Sequence, residues 1–137
     1  MKPNLFWNTL RDYFTVYLPK QRGSSEKTVI SCHMAWNLLL RFLIQEKGAV
    51  AAKIGFDTFT SSLLADFLDT METRKGWQAS TRNNRLSCIR SFFKYAAHTC
   101  PNAYPVYADL GTIPLKKEVN RSRVVEYMPK DAVASII

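Results

Sequence analysis

The chain has 137 residues, of which 47% are hydrophobic and 22% charged. That is enough to bury one core, and the balance lies well away from disordered chains. The longest apolar run, "NLLLRFLI", is interrupted by Arg41 and is far short of a membrane span, so neither a membrane protein nor a natively unfolded one is expected.

The N-terminus lacks an apolar stretch followed by a small-residue cleavage site, so no signal peptide is read. Three cysteines (Cys32, Cys88 and Cys100) without a close CxxC pair read as reduced thiols, and a cytoplasmic location is expected. Net charge is +8, and its distribution is uneven. Residues 1–56 hold eight Lys/Arg against three acids, 57–76 two against four, 77–100 four against none, and 101–137 five against four. A fold that joins the first and third segments displays a basic face, the footprint of a nucleic-acid binder.

The first predicted helix, in "NLFWNTLRDYFTVYL", spaces Leu5, Phe6, Leu10, Tyr13, Phe14 and Tyr17 for one side, and Pro19 with "QRGSS" closes it. Ser24 or Ser25 caps a second helix running from Lys27 to Lys47, with Val29, Cys32, Trp36, Leu39, Leu40 and Leu43 inward and Gly48 at its C-terminal cap. Its outward face carries Lys27, Ile30, Ser31, Met34, Asn37 and Arg41.

"AVAAKIGFDTF" connects to a third helix opened by Thr60 or Ser61, with a stripe of Leu63, Leu64, Phe67, Leu68 and Met71. Asp66, Asp69 and Glu72 are expected to form a solvated face directed away from any polyanion.

The fourth helix, in "STRNNRLSCIRSFFKYA", is capped by Ser80 or Thr81. Leu86, Ile89, Phe93, Ala96 and Ala97 face the core. Asn83, Asn84, Ser87, Ser91 and Lys94 lie opposite, with Thr81 at the N-terminus and Arg82, Arg85 and Arg90 on the flanks. Four basic groups without a carboxylate at i,i+4 are unusual for an ordinary solvated helix. Short amide and hydroxyl groups beside Arg and Lys suit base edges and phosphates. A short helical turn is expected near Val106–Leu110, then an extended connector over 111–129, and a helix beginning near Pro129 at which the sequence given stops, as a fragment of a longer protein would.

Together, "YLPKQRGSSEKTVISCHMAWNLLLRFL" and "STRNNRLSCIRSFFKYA" resemble the N-terminal core-binding domain of tyrosine recombinases, the phage-integrase family. Thr28, the run "LLLRFL", and Thr81, Leu86, Ser87, Ile89, Arg90, Phe92, Phe93 and Tyr95 carry the resemblance. Cys32 departs from it, standing where the family usually has an aromatic.

The resemblance implies an all-α, four-helix SAM-like bundle over 1–110 that forms one jaw of a clamp on a half-site of double-stranded DNA. Its second and fourth helices would lie against the major groove. Residues 111–137 would be the interdomain linker and the start of a catalytic domain whose tyrosine attacks the scissile phosphate, with other recombinase protomers as partners in a tetrameric synapse.

The candidate DNA contacts are therefore Lys27, Ser31, Met34, Asn37, Arg41, Thr81, Arg82, Asn83, Asn84, Arg85, Ser87, Arg90 and Lys94, with Lys116, Lys117, Arg121 and Arg123 from the linker.

No catalytic residue is assigned, because no Arg/His-x-x-Arg constellation accompanies Tyr95, Tyr104, Tyr107 or Tyr127. Cys32-His33 and His98-Thr99-Cys100 lack zinc spacing, and the glycines are scattered rather than arranged as a phosphate loop, so no metal, cofactor or small-molecule ligand is expected. Two rival readings are a helical protein-interaction module whose basic face meets an acidic partner and an independently acting enzyme, against which the missing catalytic constellation stands.

Overall fold

A computed structural model describes residues 5–117. The described residues form five α-helices with short 3-10 turns between them and no strand, so the all-α fold class read from the sequence stands. The helices are α1 (Leu5–Asp12), α2 (Glu26–Glu46), α3 (Ser61–Lys75), α4 (Ala79–Ala97) and the short α5 (Tyr104–Leu110).

Helix α1 runs on through Tyr13–Gln21 in a wider, π-type coil that contains Pro19. Proline brings no N–H and its ring crowds the carbonyl four residues back, which a regular helix does not accommodate. The wider coil reaches one residue further back: the Arg22 N–H donates to the Tyr17 carbonyl at 2.7 Å. Gly23, at φ +68°, then reverses the chain toward α2.

The expected stops and starts of α2 are present. Ser25 Oγ accepts from the Thr28 N–H at 3.2 Å, and Gly48 follows the helix at φ +70°. At α3, Thr60 Oγ1 accepts from the Leu63 N–H at 3.1 Å. Its first turn is also held by α5, since Asp109 accepts from the Ser61 backbone N–H at 2.7 Å and from its hydroxyl at 3.1 Å. A carboxylate at a helix N-terminus satisfies an orphan donor and complements the dipole.

The start of α4 differs from expectation. Gln78, not Ser80 or Thr81, occupies the cap position, and it makes no side-chain cap bond. The Arg82 N–H bonds back to the Gln78 carbonyl at 2.9 Å, which extends the helix to include Ala79 and Ser80.

The core is aromatic. Phe6, Trp36, Phe59, Phe92 and Phe93 are buried and linked by ring contacts, with centroids 5.0 Å apart for Phe92–Phe93 and 5.1 Å for Trp36–Phe92. Such pairs add packing specificity beyond the area they remove from water. The α4 side that faces this core carries Leu86, Ile89, Phe93 and Ala96, as read, and also Cys88 and Phe92. Ala97 is only half-buried, and Leu5 is exposed rather than part of the α1 stripe.

Helix α4 lies beside α2, and the two touch at Cys32–Cys88, 2.8 Å between sulfurs, and at Ser31–Asn84. That pairing sets their outward faces next to each other. No helix among the described residues is long and apolar enough to cross a membrane.

Candidate nucleic-acid interface

Because α2 and α4 pack side by side, their seam opens on a surface that Lys27 and Ser31 of α2 share with Asn84 and Ser87 of α4. From α2 it presents Lys27, exposed, with Ser31 half-buried at the seam; Ile30, Met34, Asn37 and Arg41 are exposed too, but on the side of α2 turned away from the Cys32–Cys88 contact. From α4 it presents Asn84, Ser87 and Lys94, exposed, with Thr81, Arg85, Arg90 and Ser91 half-buried. Helix α4 contains no carboxylate, and the two in α2, Glu26 and Glu46, lie at its ends. Glu46 is further tied to Arg74 of α3 by two bonds of 2.9 and 3.1 Å.

Two shallow hollows meet at Asn84. One is lined by Ser25, Lys27, Thr28 and Ser31 at the start of α2. The other is lined by Ser87, Arg90, Ser91 and Lys94 of α4, with Arg22 and Tyr107 on its walls. The Arg90 Nε is buried and has no partner among the described residues.

Arg22 was not singled out in the sequence. Its only signal there is a basic residue in the turn before the Ser25 cap; the π-type coil ending at Gln21 is what brings it over α4.

The seam between the helices is organised by Arg85. Its Nη1 donates to Ser31 Oγ at 2.8 Å and to Asn84 Oδ1 at 2.9 Å, and the Ser31 hydroxyl donates to the same Asn84 oxygen at 3.2 Å. The guanidinium also sits over the Trp77 ring, 5.8 Å from its centroid. Below the seam the Cys32 thiol donates to Cys88, and that bond, together with burial, pushes the Cys32 pKa far up. Cys32 is therefore a protonated packing group under the surface.

Several expected contacts lie elsewhere. Arg82 is buried, 7% exposed, rather than on an open flank. Its guanidinium faces α3, with Nε on Glu72 and Nη2 at 3.7 Å from Asp69. Burial of a charge demands such a partner, and the carboxylates across the helix pair supply it where none exists at i,i+4 within α4.

Asn83, read as outward, is also buried, at 8%. Its side chain donates to the Lys116 carbonyl and accepts from the Lys116 N–H, each at 2.8 Å. Lys116 Nζ lies 2.6 Å from Glu72.

On the acidic face of α3, Asp66 and Asp69 are exposed, as expected of a solvated face, while Glu72 is half-buried. Glu72 and Asp69 also neutralise Arg82, Glu72 pairs with Lys116, and Asp66 pairs with Lys47 at 2.6 Å, so the face is also a cross-helix ion-pair network. Lys117 is exposed, while Arg121, Arg123 and the helix expected from Pro129 lie outside the described residues.

The family described as phage integrase, N-terminal SAM-like domain, matches residues 11–99. This chain belongs to that family. Two curated proteins of Sinorhizobium fredii (strain NBRC 101917 / NGR234) whose names class them as integrase/recombinases are similar to it. One, y4rD, is 30% identical over 128 residues, which cover 93% of this chain and 45% of that protein. The other, y4rC, is 32% identical over 108 residues, 79% of this chain and 32% of that protein. The chain thus spans less than half the length of either relative. No solved structure matches it.

The matched span includes all of α2, α3 and α4, and so both walls of the surface above.

Proposed function

We propose that this chain is the DNA-binding clamp domain of a tyrosine-type site-specific recombinase or integrase, acting in the cytoplasm on a half-site of double-stranded DNA. Strand cleavage and rejoining would belong to a catalytic domain with a tyrosine nucleophile, and other recombinase protomers would join on paired sites. The observation that carries this reading is the seam of α2 and α4, where two hollows rimmed by Arg22, Lys27, Arg90 and Lys94 adjoin with no carboxylate between them.

Such a surface suits a duplex in two ways. The rim cations match phosphates, whose neutralisation releases counterions. Between these cations the seam carries Ser31, Asn84 and Ser87, short hydrogen-bonding groups on helices of a width that the major groove admits. In this reading Lys27, Arg41, Arg90, Lys94 and Arg22 hold phosphates; Thr81, Asn84 and Ser87 approach bases, and Asn37 and Met34 line the groove. Lys117, Arg121 and Arg123 add phosphate contacts along the linker. Arg82, Asn83 and Lys116 serve the ion-pair and linker network instead.

The test is fluorescence anisotropy of labelled duplexes with the 137-residue chain from 50 to 200 mM salt. Binding whose logarithm falls linearly with the logarithm of salt concentration supports the reading. Absence of duplex binding at low salt, with tight capture of an acidic protein partner instead, overturns it in favour of a protein-interaction module.

A further inference from the structure

A carboxamide has two faces for recognition, an oxygen that accepts and an NH2 that donates. Asparagine usually reads adenine by using both, accepting from N6 and donating to N7. Asn84 is not free to do so. Its Oδ1 already accepts from Arg85 Nη1 at 2.9 Å and from the Ser31 hydroxyl at 3.2 Å, which occupies both lone pairs. The orientation of the amide follows from chemistry: a guanidinium only donates, so the oxygen and not the NH2 must face it. Asn84 is exposed, and no described residue accepts from its Nδ2.

We propose that Asn84 is a specificity-determining residue that acts as a pure hydrogen-bond donor and prefers guanine to adenine, with Arg85 and Ser31 as the positioning residues that fix this polarity. Guanine offers two neighbouring acceptors in the major groove, O6 and N7, whereas adenine sets an N6 amino donor against the Asn84 NH2. The guanidinium behind the amide strengthens the same choice, because it polarises the carboxamide toward donation. The inference rests on the DNA-binding reading above and adds to it the base class that this position selects.

The experiment is selection of bound sequences from a randomised duplex library by the 137-residue chain, followed by sequencing. In the unaltered chain one position is enriched in guanine, and Asn84→Ala flattens the preference at that position alone. Ser31→Ala and Arg85→Ala each free a lone pair on Asn84, so adenine rises relative to guanine there by about tenfold.

Circular dichroism checks that each variant is helical. Ser31→Ala, a small change at a half-buried site, answers the question should Arg85→Ala fail to fold. An Asn84-dependent adenine in the unaltered chain, or an unmoved adenine-to-guanine ratio in the folded variants, overturns the inference while DNA binding stands. So does selection with no Asn84-dependent position. Retention of no duplex at all overturns the DNA-binding reading and this inference with it.

Discussion

The Asn83 side chain forms a two-bond pair with the backbone of Lys116, both bonds 2.8 Å long, across 33 residues of sequence. A carboxamide here takes the part of a neighbouring strand, satisfying one N–H and one C=O of a segment that has no regular structure. Ile113, also buried, precedes this pair. The helical unit therefore holds the chain beyond α5, as far as Lys116.

Replacing Asn83 by Ala leaves that N–H and C=O without their partner. We expect a stability loss of about 1–3 kcal/mol in urea unfolding. Amide hydrogen exchange at Lys116 should quicken as well. Asn83→Asp keeps the acceptor but sets a buried carboxylate oxygen against the Lys116 carbonyl, and should cost at least as much as Asn83→Ala. An unchanged exchange rate at Lys116 in Asn83→Ala counts against the docked segment.

The contrast between Asn83 and Asn84 marks the limit of what sequence reading resolved. Helical periodicity placed Leu86, Ile89 and Phe93 inward because one apolar stripe fixes the roll of a helix. Adjacent polar positions near the edge of that stripe are decided by what neighbouring elements bring. Sequence reading sets Asn83 opposite the core and Arg82 on a flank, whereas α3 supplies carboxylates to Arg82 and the segment after α5 supplies a peptide group to Asn83, which draws both inward. Neither partner is local in sequence. The pairing of α2 with α4 was legible through the family resemblance, whereas the contribution of Arg22 depends on a π-type coil that no simple spacing rule signals.

Buried Arg82 pairs with the half-buried Glu72, and deleting one member should cost more than deleting both. Glu72→Ala leaves the Arg82 charge with only the Asp69 carboxylate, 3.7 Å away, and a destabilisation of about 1–3 kcal/mol is expected. The double change Glu72→Leu with Arg82→Met removes both charges and should recover most of that loss in thermal melts. Equal losses for the single and double variants would remove the case for strong coupling between them.

Duplex binding separates the rim cations from the internal ones. Arg90→Ala and Lys94→Ala are each expected to weaken binding to all sequences alike and to reduce the slope of log affinity against log salt by about one. Arg82→Lys, whose charge faces α3 in the folded chain, should leave the slope unchanged. Gel shifts at several salt concentrations read both quantities, and an unaltered slope for Arg90→Ala defeats its assignment to phosphate.

Tyr13 gives the pH prediction. Its ring is fully buried between Phe92 and Tyr95, and its hydroxyl donates to Ser91 at 3.0 Å. Burial pushes the phenol from its usual 10 up to about 12. The unfolded chain therefore loses this proton at lower pH than the folded one, so the unfolded state binds fewer protons between about pH 10 and pH 12. Stability must fall with rising pH across that window, by up to about 2 kcal/mol from this group, and the contribution is intact below pH 10. Tyr13→Phe loses the bond to Ser91, costing about 1 kcal/mol near neutrality, but it also removes the ionisable group. Its urea midpoint should fall less steeply than that of the unaltered chain as pH is raised from 10 to 12. Parallel declines in the two proteins would show that alkaline loss of stability arises from other groups and that the Tyr13 phenol is not held above its ordinary pKa.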